Sequence, residues 1–230
     1  MAIKLTDSVE DYLKAIYDLT VESGRATTNQ LAERQGVAPA SVTGMVKKLA
    51  SAEPPLLEYH KHHGVQLTPE GEKIALEVIR HHRLLELFLQ ETLGYTWDQV
   101  HAEADRLEHV ISEDFEERIA QSLGNPLHDP HGEPIPTREL SLPSNSQIRL
   151  SQLRPEQQAT IERVETSNGD LLRHLSAVGV VPQANVTVVD YSPLDQNLYL
   201  KVNANFDPVV LGSRITDCIY VELLPAPRVA

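Results

Sequence analysis

Residues 125–143, NPLHDPHGEPIPTRELSLP, hold five of the fifteen prolines in this 230-residue chain. Proline fixes φ and removes a backbone donor, so neither a long helix nor a central strand can run through such a stretch. It reads as a linker or an extended connection, and the character of the chain changes across it. The piece before it carries apolar residues at helical spacing, and the piece after it alternates like strands. The expected fold is therefore mainly α with a small β domain.

In the first piece, Val9, Tyr12, Leu13, Ile16 and Leu19 mark one helix, with Asp7 and Ser8 as candidate caps. TTNQLAERQG reads as a short helix closed by Gly36, and APASVTGMVKKLA as another whose apolar stripe is Val42, Met45, Val46 and Leu49. Leu56 to Tyr59 and Val65 to Leu67 flank a polar tip containing Gly64, which predicts a β-hairpin. Thr68 and Pro69 open a helix that runs to about Leu93 and stops at Gly94. A fifth helix is expected over about Trp97 to Ser112, and a sixth ends near Leu123. Beyond the proline-rich stretch, QATIERV, ANVTVVDY, NLYLKVN and DCIYVELL predict strands of a barrel-like domain. One short helix, about Asp170 to Val178, lies among them.

Helix, glycine turn, helix and hairpin is the layout of a winged helix–turn–helix, whose second helix enters the DNA major groove. Pro39, Ala40, Ser41, Thr43 and Gly44 are small or polar at the end that would reach base edges, and Lys47 and Lys48 follow. No acidic residue lies between positions 38 and 50. The formal net charge of −13 argues against a protein coated for nucleic acid. Salt-dependent phosphate binding needs only a local patch, however. From 25 to 67, five basic residues (Arg25, Arg34, Lys47, Lys48, Lys61) oppose three acidic ones (Glu33, Glu53, Glu58). The hairpin tip HKHHG could touch phosphate. A protein-binding or purely structural helical domain is the competing reading. The single cysteine, Cys218, excludes an intrachain disulfide framework and a multi-thiolate site. No apolar run reaches membrane-spanning length and the N-terminus does not read as a signal peptide, so a cytoplasmic protein is expected.

HAEADRLEHV, residues 101–110, brings His101, Asp105, Glu108 and His109 close together in sequence. With ~100° turned per residue they fall on one arc of a helix. The preceding helix offers His82 and Glu86 at i, i+4, able to meet His101, and the first helix offers Asp11. Mixed imidazole and carboxylate ligands suit Mn²⁺, Fe²⁺, Zn²⁺ or Co²⁺. Each has a plainer reading. Asp11 sits in a first turn where the helix dipole favours a carboxylate, His82 and Glu86 could be a surface pair, and Asp105, Glu108 and His109 could be a solvated face. The hairpin histidines, and His128 and His131 in the proline-rich stretch, read as exposed polar residues. A metalloenzyme on the helical bundle could use the same residue types. The chain lacks, however, the two Glu-x-x-His motifs of helical di-metal proteins, a phosphate-binding glycine loop, a nucleophile elbow and an H-E-x-x-H motif.

VEDYLKAIYDL, VAPASVTGMVKKL, VQLTPEG, RHHRLLELFL, VHAEADRLEHVIS and DPHGEPIP together resemble the diphtheria toxin repressor family of metal-dependent transcription regulators, over nearly the whole length. The resemblance implies a winged helix–turn–helix over residues 1–73 and a helical metal-binding and dimerisation domain over 74–124. A linker over 125–145 and an SH3-like β-barrel over 146–230 would follow. It also implies a homodimer that binds operator DNA when loaded with Mn²⁺ or Fe²⁺, with other divalent transition metals binding in vitro. By motif, a primary site would comprise Asp11, Asp105, Glu108 and His109, and an ancillary site His82, Glu86 and His101. The SH3-like domain would add a ligand to the latter, with Glu165 and Asp170 as candidates. Iron-responsive members carry methionine and cysteine where this chain has Asp11 and Asp105. Short manganese-responsive members carry glutamate where it has Lys14. At Gly44, members often have a longer polar side chain.

Overall fold

The computed structural model describes residues 4–60, 64–203 and 207–225. Lys61, His62 and His63, at the tip expected to approach phosphate, lie outside the described residues. The chain divides into two compact units, one made of residues 1–82, 105–116 and 136–141, the other of 83–104, 117–135 and 142–230.

The first unit opens with α1 (Asp7–Ser23), α2 (Thr28–Gln35) and α3 (Pro39–Ala50). A capping box starts α2: Gln30 N donates to Thr27 Oγ1 at 3.2 Å, and Thr27 N donates to Gln30 Oε1 at 2.9 Å. Gly36, at φ 62°, ends α2 in the left-handed conformation that a side chain resists. Pro39 then starts α3, where its missing N–H costs nothing. Leu13 and Ile16 of α1, Leu31 of α2 and Val42, Val46 and Leu49 of α3 are fully buried in one cluster. Burying each such side chain stabilises the fold by ~1.5–3 kcal/mol. β1 (Leu57–His60) pairs antiparallel with β2 (Gly64–Leu67), Leu57 facing Leu67 and Tyr59 facing Val65. A bridge from Ala26 to Val65 fastens this wing behind α1. The helix–turn–helix and hairpin thus form where the apolar spacing placed them.

α4 (Pro69–Leu93) is one helix of 25 residues whose earlier part belongs to the first unit and whose later part belongs to the second. α5 spans only Val100–Leu107, against the expected Trp97 to Ser112. At its start Trp97 is drawn into the second unit's core, where Nε1 donates to the Leu172 carbonyl at 3.2 Å. At its end Val110 N donates to Leu107 O at 3.0 Å, closing a turn before α6 (Glu113–Ser122). Glu108 and His109 therefore sit in a turn after the helix and not on its face.

The second unit holds β3 (Gln158–Val164), α7 (Gly169–Ala177), β4 (Asn185–Ser192), β5 (Asn197–Val202), β6 (Val209–Leu211), α8 (Ser213–Thr216) and β7 (Ile219–Leu223). The antiparallel order is β6-β5-β4-β3-β7, so among the described residues this small SH3-like sheet is open, with β6 and β7 at its edges. The expected barrel is not closed. α8 intervenes between the edge strands, and β6 is only three residues long. Leu172 and Leu175 of α7 pack with Ile161, Val188, Leu200 and Val221 of the sheet.

The proline-rich stretch carries no helix or strand, but it is tightly held. Ile135 is 1% exposed. In the second unit Arg83 donates to the Pro134 carbonyl at 2.5 Å, and in the first Arg80 donates to the Pro136 carbonyl at 2.7 Å. No helix among the described residues is long and apolar enough to cross a membrane.

Candidate metal centre

Within the first unit, three segments bring ionisable side chains together. α1 presents Glu10 and Asp11 and, one turn on, Lys14, α4 presents His82, and α5 with its following turn presents Asp105, Glu108 and His109. Asp11, Glu108 and His109 offer donor atoms that all lie within 4.8 Å of one another, and so do His82, Asp105 and Glu108. Glu108 belongs to both sets. Its side chain is 1% exposed, and its two oxygens face different ways. Oε1 is 3.5 Å from His109 Nε2, while Oε2 is 2.5 Å from His82 Nδ1.

His109 completes the first set. Its Nδ1 lies 2.7 Å from Glu10 Oε2 and its Nε2 3.0 Å from Asp11 Oδ1. Burial would lower the imidazole's pKa, but the Glu10 hydrogen bond and the charges of Glu108 and Asp11 outweigh it and raise it. Burial raises the Asp11 carboxyl despite the neighbouring His109. In the second set Lys14 Nζ lies 2.8 Å and 3.0 Å from the two Glu108 oxygens and 3.4 Å from Asp105 Oδ1. It is also 3.1 Å from His82 Nδ1. Burial alone would raise the Glu108 carboxyl; the His82 hydrogen bond and the Lys14 charge reverse that and hold it below its ordinary value. The residues expected as primary ligands are thus brought together around Glu108, Asp105 in the set with His82 and Asp11 in the set with His109, while Lys14 reaches both Glu108 oxygens. Carboxylate and imidazole donors converging on a buried carboxylate fit a divalent Mn²⁺, Fe²⁺ or Zn²⁺ ion.

In the second unit, buried Glu86 meets His101, Nδ1 to Oε1 at 3.0 Å, and His131, Nδ1 to Oε2 at 3.5 Å. His131 also donates from Nε2 to the Trp97 carbonyl at 2.9 Å and stacks on the Trp97 ring. Burial opposes its charge, but Glu86 prevails and raises its pKa to about 8. Asp129 Oδ1 accepts from His131 N at 2.8 Å and Glu133 N at 2.9 Å, shaping the turn that delivers His131. Sequence reasoning left His131 as an exposed linker residue; an aspartate two residues before it was the available signal for a turn. Glu10 was passed over as a ligand neighbour, although it adjoins Asp11, whereas Lys14 had been marked as standing where short manganese-responsive relatives carry glutamate. Of the SH3-like candidates, Asp170 accepts from Arg173, and the backbone N of Glu165 donates to the Cys218 carbonyl at 2.8 Å.

On α3, Pro39, Ala40, Ser41, Gly44, Lys47 and Lys48 are exposed and Thr43 is half-buried, its hydroxyl donating to the Pro39 carbonyl at 3.0 Å. These residues share the face opposite Val42, Val46 and Leu49. A Cβ on Gly44 would meet nothing within 4 Å, so a flat, open patch marks the middle of that face.

Residues 4–65 match the family description "Iron dependent repressor, N-terminal DNA binding domain", residues 68–137 "Iron dependent repressor, metal binding and dimerisation domain", and residues 148–223 "FeoA domain". The iron-dependent repressor IdeR of Mycobacterium tuberculosis (strain ATCC 25618 / H37Rv) is 36% identical over 197 residues, 80% of this chain and 85% of that protein. The HTH-type transcriptional regulator MntR of Geobacillus kaustophilus (strain HTA426) is 40% identical over 114 residues, 50% of this chain and 79% of that protein. Among solved structures, a manganese-dependent transcriptional repressor in complex with manganese superposes with a TM-score of 0.85 at 33% identity, covering 94% of this chain and all of that one. ScaR with bound Zn²⁺ gives 0.78 at 34% identity, over 94% of this chain and 99% of that one.

Proposed function

The chain belongs to the diphtheria toxin repressor family of iron-dependent repressors, and on that footing we propose that it represses metal-homeostasis genes as a manganese-loaded, or alternatively ferrous, homodimer on operator DNA in the cytoplasm. It is a metal-dependent transcriptional regulator and not an enzyme. We assign DNA binding to residues 1–73, metal binding and dimerisation to 74–124, and the SH3-like domain to 146–230, joined by 125–145. The metal ligands in this reading are Asp11, Asp105, Glu108 and His109, with His82, Glu86 and His101 as the ancillary set. The DNA-facing residues are Pro39, Ala40, Ser41, Thr43, Gly44, Lys47 and Lys48.

One observation carries the reading: Asp11 of α1 converges with Glu108 and His109 after α5, while Leu13 and Ile16 of the same helix are buried with Val42, Val46 and Leu49 of α3. Side chains on one face of α1 therefore hold the site, and those on the other hold the recognition helix. Asp11, Asp105 and Glu108 repel one another, and Lys14 and His109 offset only part of that charge. A bound divalent ion supplies the concentrated positive charge that lets these donors close together. Asp11 then acts as the strut from the site to α1, Glu108 as the buried anchor, and Glu10 as the group that orients the His109 ring. In a two-fold dimer, fixing α1 fixes the spacing of the two α3 helices, which must match about one turn of DNA, ~34 Å, or a multiple.

The test is operator affinity, by gel shift or fluorescence anisotropy, with Mn²⁺, Fe²⁺ (anaerobically) and Zn²⁺ at matched occupancy and with chelator. Affinity should rise with Mn²⁺ and fall with chelator. Mn²⁺ should also exceed Zn²⁺, which settles at four ligands more readily and can leave Asp11 unengaged. Equal binding with metal and with chelator would sink the corepressor mechanism.

A further inference from the structure

α4 and α6 bring another donor group together within the first unit, apart from the sets above. His81, Glu113 and Glu116 offer donor atoms that all lie within 4.8 Å of one another. His81 Nε2 is 3.2 Å from Glu116 Oε2 and 3.7 Å from Glu113 Oε1. The residue is 9% exposed, and its Nε2 is buried with no hydrogen-bond partner among the described residues. The other ring nitrogen fixes its state. Nδ1 lies 3.1 Å from the Glu108 carbonyl, which can only accept, so Nδ1 carries the proton of the neutral ring. Nε2 is then a bare lone pair beside two carboxylates. Plainer causes cover part of this. Glu113 and Glu116 open α6, where the helix dipole favours acidic groups, and Arg80 Nε meets Glu116 Oε1 at 2.5 Å. Neither accounts for a buried imidazole nitrogen left unsatisfied against them, which costs free energy. A second proton on Nε2 would be out of line with Glu116 and too far from Glu113, whereas an ion reaches all three donors from one point.

We propose that His81, Glu113 and Glu116 form a further cation site between α4 and α6, one that takes Zn²⁺. It shares no donor with the metal ligands assigned above and does not depend on that assignment. One imidazole nitrogen and two carboxylate oxygens are a usual zinc donor set, and the Irving–Williams order favours Zn²⁺ over Mn²⁺ at such donors. A backbone carbonyl that holds one ring nitrogen while the other binds the ion is the common support of a metal-bound histidine. The Glu113 side chain is 81% exposed, so the ion enters from that side and water completes its shell there. Bound zinc would staple the first turn of α6 to α4. Because His81 also holds the Glu108 carbonyl, the connection from Glu108 to Glu113 would then be fixed at both ends.

The test measures Zn²⁺ bound per chain, by equilibrium dialysis against buffered free zinc and metal analysis, for wild type, Glu113→Gln and His81→Gln. Zinc at other sites is common to all three and cancels in the difference. The expected result is one zinc fewer per chain in His81→Gln, and in Glu113→Gln one zinc whose binding needs at least tenfold more free metal. Nitrogen-15 spectra of the histidine rings locate the ion. The His81 signals, identified by their absence in His81→Gln, should show a protonated Nδ1 and a bare Nε2 at neutral pH, and Nε2 should shift as zinc is added. Glu113 is exposed, so its variant and the wild-type spectra decide the matter if His81→Gln does not fold. Equal zinc binding in wild type and Glu113→Gln, or a His81 ring that saturating zinc leaves unchanged, overturns the proposal. No step reads DNA, so failure of the repressor mechanism would leave this result standing.

Discussion

Lys48 is exposed on the last turns of α3, beside Lys47 and with no acidic residue on that helix. On the assignment proposed above it lies past the base-reading end of α3, which would set its ammonium against a phosphate and not a base. Replacing it with alanine should weaken binding to all DNA sequences alike and make the salt dependence shallower by about one unit of slope. The check is affinity over a salt series for the operator and a scrambled duplex. An unchanged slope with altered sequence preference would place Lys48 on a base instead. Gly44 sets a complementary constraint: without a side chain it can present only backbone at its position, so on the proposed assignment discrimination there would rest on neighbours such as Ser41 and Thr43 and on the shape of the DNA.

At the scale of elements, α4 and α6 are tied by a buried ion pair. Arg80 Nε lies 2.5 Å from Glu116 Oε1, and both residues are buried. Removing one partner leaves a desolvated charge, which costs about 3–5 kcal/mol. Glu116→Ala should therefore lower unfolding stability by that much in denaturant titrations, and Arg80→Met with Glu116→Leu should recover most of it. A single variant within about 0.5 kcal/mol of wild type, the usual range for surface changes, would show the pair to be dispensable. Burial would raise the Glu116 carboxyl, but His81 and Arg80 lower it below its ordinary 4.5. The stability it contributes is present above that value and lost as pH falls through the depressed folded one, so the variant's acid limb should be flatter. Most of these elements were legible in the sequence, because α1 to α4 and β3 to β5 each bury one face and so repeat at 3.6 or 2 residues. α5 was not, because its ends are set by Trp97 and by the turn at Val110, which answer to distant packing. The residues that cluster as candidate donors were legible by type, although the helical arc that suggested them ends before Glu108. The role of His131 was not legible, since a histidine after prolines acquires meaning only when other segments fold against it.

For the whole molecule, metal binding and folding are linked. An ion held only by the native fold at the proposed Asp11, Asp105, Glu108 and His109 donors would stabilise by about 2.7 kcal/mol at a hundredfold excess over its Kd. The effect should be local to the first unit: hydrogen exchange should slow in α1 and in residues 105–109 with Mn²⁺, and stay unchanged in β4 and β5. Uniform slowing in the sheet would mean that the ion stabilises the molecule as a whole and not this junction. The acid-free face of α3 has a further consequence. On a chain of net charge −13, that face is a small attractive window in a body that duplex DNA repels. Most collisions with a chromosome then end in rebound, and only those that arrive helix first persist. Such a protein spends little time sliding along unrelated sequence. Tracking of single molecules on DNA should accordingly show short visits from solution and few long slides.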